Sequence, residues 1–257
     1  MSVSAVLITY NEKDLLPNCL NWLNTLTNLN EICIIDSFST DGTWDIIQNF
    51  KTTKSYKIKQ QVFQSFGVQK NDCMDMATSD WILLIDADET YGHQMNRLIE
   101  DINNKKPELE KINAFRFLTY LMYPDNKHYV HPTYLHLGFD PHVRLWRNDM
   151  ARYVGDCHER LYDINKRDLH MCNDIDIMTL NFVQKQYPII MLHHQLRKSK
   201  ESLIDKGKRW NELDMFTKSA EQKIQVDKET WVRLQRGVNY NHHLVTNYLP
   251  KELWDFK

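Results

Sequence analysis

Two aspartates in the stretch Asp86-Ala87-Asp88 follow the most apolar run of the chain, Trp81–Ile85. Hard divalent cations take oxygen ligands, and Mg²⁺ is usually bound by one or two carboxylates together with substrate phosphates. In extended chain, residues i and i+2 point the same way, so both carboxylates can reach neighbouring parts of one ligand. Aspartates at strand ends also cap turns and the helices that follow them, and an isolated pair would imply little more. Here Glu12, Asp36 and Asp41 follow other apolar runs, so acidic groups gather at several comparable places.

Those places are the ends of predicted strands. Ser4–Thr9 and Glu31–Asp36 are short, β-branched apolar runs of the kind buried on both faces of a sheet. Between them Leu15, Cys19, Trp22, Leu23 and Leu26 recur at helical spacing, with Pro17 tolerable in the first turn. Thr43–Phe50 carries Trp44, Ile47 and Phe50 on one helical face. Tyr56–Phe63 predicts a more polar strand near an edge, a helix is expected around Val68–Thr78, and Trp81–Asp86 is the next strand. Alternation of this type implies right-handed crossovers and a parallel sheet, which binds ligands at the carboxyl ends of its strands. Thr9–Glu12, Asp36–Asp41 and Asp86–Glu89 should therefore face one crevice.

Beyond residue 110 the pattern changes. Ala114–Tyr123 and His142–Asn148 predict strands separated by a loop, Pro124–Pro141, that is rich in aromatic residues and histidine. Arg152–Asp163 reads as strand and loop, Tyr187–Leu192 as another apolar run, and Ser199–Phe216 as a helix. The expectation is an α/β domain over 1–215, with halves at 1–110 and 111–215, and a packed helical tail over 216–257.

Composition excludes several classes. Lys+Arg 32 against Asp+Glu 34 gives a net charge of −2, so no polycationic surface is offered to a nucleic acid. Five scattered cysteines without a CxxC pair argue against a disulfide framework or thiolate zinc site and for a reducing compartment. No signal peptide is visible at the N-terminus, and no apolar run approaches the roughly 20 residues that span a bilayer. A soluble, cytoplasmic protein is expected, with a peripheral place at a membrane as the alternative. The basic cluster Arg197, Lys198, Lys200, Lys206, Lys208 and Arg209 would suit a phosphorylated or membrane-bound acceptor, although such runs are usually solvated helix faces.

Taken together, Thr9-Tyr10-Asn11-Glu12, Asp36-Ser37-Phe38-Ser39-Thr40-Asp41-Gly42-Thr43, Gln69-Lys70-Asn71 and Trp81–Glu89 resemble, in order and spacing, the family 2 glycosyltransferases with their GT-A nucleotide-sugar fold. The likeness is greatest to enzymes that extend bacterial surface glycans such as lipopolysaccharide core. It is strong over residues 3 to 90 and continues in fragments through Arg144-Leu145-Trp146-Arg147 and His158-Glu159. Phe38 departs from the pattern, standing where a small residue, often glycine, is usual.

The resemblance implies a role for each position. Thr9, Tyr10, Asn11 and Glu12 would line base and ribose, with Asp36, Ser37 and Asp41 close by. Lys70 and Asn71 would meet the nucleotide, Lys70 offsetting its charge. Asp86 and Ala87 would face the ribose, and Asp88 would hold Mn²⁺ or Mg²⁺ on the diphosphate of a UDP-sugar. Inverting transfer needs a general base for the acceptor hydroxyl, and the resemblance assigns it to Glu159, with Asp156 second. Arg144, Trp146 and His158 would shape the acceptor pocket. A histidine often completes the metal or diphosphate site in related enzymes, and His193-His194 offers two. Adjacent strand residues face opposite ways, so one at most points inward, with a slight preference for His193.

The four histidines His128, His131, His136 and His142 lack zinc-site spacing. Surface glycan, lipid carrier, protein and a hydroxylated nucleobase all qualify as acceptors, the last disfavoured by the net charge. Two rival readings remain at this level. Asp86-Ala87-Asp88-Glu89-Thr90 also resembles the first motif of haloacid-dehalogenase-like phosphatases, with Asp86 as nucleophile. A catalytically inactive nucleotide-sugar-binding protein is the other.

Overall fold

The computed structural model describes residues 1–122, 128–130, 142–156, 159–172, 174, 176–180, 187, 189–194 and 247–248. In chain order the elements are β1 (Val3–Thr9), α1 (Leu16–Thr25), β2 (Glu31–Asp36), α2 (Thr43–Asn49), β3 (Ser55–Gln60), α3 (Phe66–Asp75), β4 (Trp81–Leu84), β5 (Glu89–Tyr91) and α4 (Met95–Asn103). After a 3-10 turn at Pro107–Leu109 come β6 (Ala114–Phe117), β7 (Thr119–Met122), β8 (His128–Val130), β9 (His142–Arg147), β10 (Ala151–Val154), β11 (Arg160–Asp163), β12 (Ile177–Leu180), β13 (Met191–His193) and β14 (Asn247–Tyr248).

The main sheet has the order β12-β6-β9-β4-β1-β2-β3. Pairing is parallel for β1 with β2 and β4, for β2 with β3, and for β6 with β12, while β9 runs antiparallel between β4 and β6. The fold is thus α/β with a mostly parallel central sheet, as its sequence predicts. β1, β2 and β4 are buried almost throughout because both faces are covered. Val3, Ala5 and Leu7 pack into a core with α1 and α4, whereas Val6 joins Cys73 and Met74 of α3 and Trp146 in a second core on the opposite face. β3 closes one edge with partly exposed lysines, Lys57 and Lys59, which discourage further strand pairing.

The expected strand Ala114–Tyr123 is divided. Leu118 leaves the main sheet and its carbonyl accepts a hydrogen bond from Met191 N at 2.9 Å. β7 then joins β13 in a small sheet of order β14-β8-β7-β13-β5. Arg152–Asp163 forms the antiparallel hairpin β10–β11. The sequence reading left α4 unassigned, although Met95, Leu98, Ile99 and Ile102 have helical spacing and all are buried. The helix expected over Ser199–Phe216 lies outside the described residues. Of the tail expected to be helical, only Asn247–Tyr248 is described, and it is a strand antiparallel to β8.

Glu31 fastens the start of the sheet and is 2% exposed. It accepts hydrogen bonds from Ser4 Oγ at 2.5 Å and Thr78 N at 2.8 Å and pairs with Lys57 Nζ at 2.6 Å. Burial by itself would raise its pKa; Lys57, Ser4 and Thr78 outweigh that and lower it from 4.5 to about 2. A folded-state value below the unfolded one contributes stability above pH 4.5 that is lost as the pH falls toward 2. Glu31→Gln is expected to destabilise the protein by roughly 2 kcal/mol at pH 7. The difference should shrink at pH 3, and urea unfolding at the two pH values measures both.

Candidate active site

The carboxyl ends of β1, β2 and β3 are level, with Thr9 opposite Asp36 and Asp36 opposite Gln60. Asp36 is fully buried. Its carboxylate accepts hydrogen bonds from Thr9 Oγ1 at 3.2 Å, Ser39 Oγ at 2.5 Å, Ser39 N at 2.9 Å and Gln60 Nε2 at 3.0 Å. Expected as a nucleotide contact, it ties the rim of the crevice together, with four protein donors shared between its two oxygens. Asp41 behaves similarly, accepting from Thr43 N at 2.9 Å, Thr43 Oγ1 at 2.6 Å and Lys13 N at 3.1 Å. Burial raises its pKa, but these bonds win and hold it below the usual carboxylate value.

The loops above this rim are laced to each other. Ser37 N donates to Thr9 O, Asn11 N to Ser39 Oγ, Thr40 N to Asn11 Oδ1 and Glu12 N to Thr43 Oγ1. Asn11 and Phe38 both adopt left-handed backbone, with φ of 53° and 58°. For a residue with a Cβ that conformation costs roughly 1–2 kcal/mol. Tyr10 and Phe38 are the exposed large hydrophobic residues of the two loops, at 38% and 50%.

The third strand end differs from its sequence expectation. Ile85 N still bonds Val6 O, but Glu89 N then donates to Asp86 O at 2.9 Å, closing a turn over 86–89. Asp86 and Asp88 therefore do not lie in extended chain. The side chain of Asp86 is 37% exposed and that of Asp88 4%, and Ala87 is buried.

Arg144 holds this turn from below. β9 carries a bulge: Phe115 pairs with Leu145 and Arg116 with Val143, leaving Arg144 as the additional residue. The bulge re-aims its side chain, and Arg144 Nη2 reaches Asp86 Oδ2 at 2.9 Å and Glu89 Oε1 at 2.5 Å. Glu89 Oε2 accepts from Asp86 N at 3.1 Å. Burial pushes the pKa of Glu89 from 4.5 to about 7, with Asp86 and Asp88 adding to the rise and Arg144 and His193 opposing it. Arg144 thus braces the acidic turn, where the sequence reading placed it in an acceptor pocket. Trp146 is fully buried as well. Beyond the bulge it packs edge-on against Tyr153, with ring centroids 6.1 Å apart, and forms core rather than pocket wall.

β13 runs antiparallel to β5 and sets His193 opposite Glu89. His193 Nε2 lies 3.4 Å from Asp88 Oδ2. The ring of His194 turns away, with Nε2 2.8 Å from Thr90 Oγ1, while its backbone N donates to Asp88 O at 2.7 Å. The charges are close enough to be felt within the core under α1: the buried Cys19 thiol is pushed well up by burial and then by Glu89, Asp88, Asp86 and Glu12.

Helix α3 joins the crevice to the β10–β11 hairpin through consecutive residues. Gln69 Nε2 donates to Ser37 Oγ at 2.5 Å, Lys70 Nζ pairs with Glu159 Oε1 at 2.5 Å, and the Asn71 amide brackets Tyr153, donating to its carbonyl and accepting from its N–H, both at 2.9 Å. Lys70 also lies 4.8 Å from the centroid of the Tyr153 ring. Asn71, expected against the nucleotide, has its amide committed to this backbone bracket. At the start of α3, Phe66 N bonds Asp156 O at 3.0 Å. A side chain at Gly67 would overlap the Gly155 carbonyl, and Gly155 itself has a φ of 106°. Glycine at both positions allows the close approach of helix and hairpin. Glu159 is enclosed beside Lys70, whereas Asp156 is exposed. His158 lies outside the described residues.

Sequence reasoning passed over Glu89 and Gly67 as site residues. Glu89 adjoins Asp88, and Gly67 is one of only 7 glycines, yet neither position declares a long-range partner. Among the described residues no group of three His, Cys, Asp or Glu side chains is arranged to hold a metal ion. Asp88 and His193 still fit the partial protein ligation that suffices when a diphosphate supplies the remaining oxygens.

The sequence model of glycosyl transferase family 2 matches residues 4–149, more than half of the chain and inclusive of the carboxyl ends of β1, β2, β3 and β4. The chain belongs to glycosyl transferase family 2. Among curated relatives of this family 2 chain, the SPbeta prophage-derived glycosyltransferase SunS of Bacillus subtilis is 28% identical over 166 residues, covering 64% of this chain and 36% of SunS. The lipopolysaccharide core biosynthesis glycosyltransferase LpsC of Rhizobium meliloti is 27% identical over 103 residues, 40% of this chain and 37% of LpsC. The matched stretches thus span little more than a third of these relatives. In fold, the chain is similar to S. aureus TarS 1–349 crystallised with UDP-GlcNAc, at a TM-score of 0.53 and 16% identity over 95% of this chain and 77% of that one. That likeness establishes the GT-A architecture.

Proposed function

We propose that this family 2 chain transfers a sugar from a nucleoside diphosphate sugar, with UDP as the nucleotide, to an acceptor hydroxyl, with inversion and with a divalent cation. The reading rests above all on one arrangement: Glu12, Asp36 and the Asp86–Glu89 turn emerge at the same edge of one parallel sheet. The UDP-GlcNAc bound to the similarly folded TarS supports the choice of donor.

Tyr10, Asn11, Thr9 and Ser37 would border the base and ribose, and Asp86 the ribose. Asp88 and His193 would hold Mn²⁺ or Mg²⁺, which when bound stabilises charge on the departing diphosphate. Lys70, buried beside the same crevice, supplies a fixed positive charge. Glu159 would take the proton from the acceptor hydroxyl as that oxygen attacks the anomeric carbon. Its ion pair with Lys70 keeps the carboxylate oriented in a nearly enclosed position. Arg144 keeps the Asp86 turn in place throughout. The acceptor, the boundary at 215 and the cytoplasmic setting belong to the proposal as well; no helix among the described residues is long and apolar enough to cross a membrane.

Glu159→Gln tests the assignment of the base. Transfer is expected to fall about 10²–10⁴-fold, while UDP affinity, measured by titration calorimetry, stays within a few-fold because Gln still accepts from Lys70. Full transfer in this variant would move the base elsewhere, with Asp156 the next to be replaced.

A further inference from the structure

We infer that the Phe38 ring, on the loop next to that of Tyr10, forms one wall of the nucleobase site and stacks on the donor's base. The inference rests on the proposed nucleotide-sugar reading and adds to it a binding residue on the β2–α2 loop. Phe38 is half exposed although it is large and apolar, and its backbone is left-handed at φ 58°. Such conformations persist only where neighbouring bonds over-determine them, and they concentrate at ligand clamps.

Both neighbours are pinned. Ser37 is held by Thr9 O through its N–H and by Gln69 Nε2 through its hydroxyl. Ser39 is held by Asp36 through both its N–H and its hydroxyl, and it also accepts from Asn11 N. This loop therefore forces Phe38 into strain while presenting its ring to solvent, beside the crevice rim where Thr9 meets Asp36. The next loop presents Tyr10, also exposed, from the adjacent strand, and neighbouring strands lie about 4.8 Å apart. Exposed aromatic rings on adjoining loops give a flat base apolar surface to stack on, and base–aromatic stacking requires no hydrogen bonds of its own. A glycine at position 38 would be free of strain, so the residue present costs stability and contributes a ring.

The test compares wild type with Phe38→Gly, Phe38→Leu and Phe38→Tyr. Titration calorimetry with UDP, GDP, CDP and TDP first identifies the tightest nucleotide for wild type, which is then used throughout, alongside inorganic pyrophosphate. The expected result is that Phe38→Gly melts no lower than wild type without ligand yet binds the nucleotide about tenfold or more weakly. Phe38→Leu should be weakened similarly, Phe38→Tyr should retain wild-type affinity, and pyrophosphate binding should not change. Equal nucleotide affinity in all four proteins overturns the stacking role and leaves the proposed function standing. Equal losses for nucleotide and pyrophosphate also overturn it, because the loop would then act through the phosphates. A wild-type chain that binds none of the four nucleotides overturns both readings.

Discussion

Asp88→Ala is expected to reduce sugar transfer about 10³-fold without unfolding the protein. The residue is nearly buried, and of its oxygens Oδ2 stands 3.4 Å from His193 Nε2. Removing the carboxylate leaves one imidazole at the position proposed for the cation, and an imidazole without a carboxylate is a poor site for a hard ion. The diphosphate would then depart with its charge less well compensated. The direct measurement is UDP affinity with and without Mn²⁺. Wild type should bind UDP more tightly with Mn²⁺, and Asp88→Ala should lose that increment while its melting temperature stays close to wild type. A variant that keeps the Mn²⁺-dependent increment would remove Asp88 from the metal site. The backbone carbonyl that receives His194 N is unaffected by the change, so loss of the β5–β13 pairing is not expected to confuse the result.

Arg144→Met should have the largest effect on stability, roughly 3–5 kcal/mol, because it leaves the buried Glu89 carboxylate without its cation. The double variant Arg144→Met with Glu89→Gln should recover much of that loss, since the buried charge at Glu89 is then gone and Asp86, which also loses Arg144, is 37% exposed to water. The pH dependence has a definite sign. Glu89 has a folded-state pKa raised from 4.5 to about 7, so the native state holds its proton more tightly than the unfolded chain does. Its favourable contribution is complete below pH 4.5 and is lost as the pH rises through 7. Without Arg144 the pull toward ionisation disappears and the carboxylate is driven further toward its neutral form. Arg144→Met should therefore regain stability on acidification from pH 8 to pH 5.5 more steeply than wild type, as read by urea unfolding at each pH. A flat difference between the two proteins would show that Glu89 does not carry the cost.

The first half of the fold was legible in the sequence for a physical reason. Strands covered on both faces have to be continuous apolar runs, and β1, β2 and β4 are. Their polar termini then mark the crevice directly. What could not be read is pairing between distant residues. Nothing in the chain around Arg144 signals that one bulged residue will turn it toward Asp86 and Glu89, 58 and 55 positions away. Gln69-Lys70-Asn71 stood out as a motif, but a motif does not state whether its groups face ligand or protein; here their described partners are Ser37, Glu159 and Tyr153. Asp36 likewise has the right residue type in the right place, and only its complete burial reveals that it secures the rim. In the second half, short strands with mixed faces give weak periodicity, and a single residue, Leu118, redirects the chain from one sheet to another.

The three successive side chains of α3 have a bearing on how this enzyme could be re-engineered. One helical turn fixes the spacing between the loop proposed to border the donor's base and the hairpin that carries Glu159, so under the proposed function the two reactants are gauged by a common ruler. Exchanging the hairpin for that of a relative, to change what is glycosylated, would break the gauge unless residues 66–71 travel with it. The natural seam for such a chimera therefore falls ahead of Phe66, inside what looks from the chain order like the donor half.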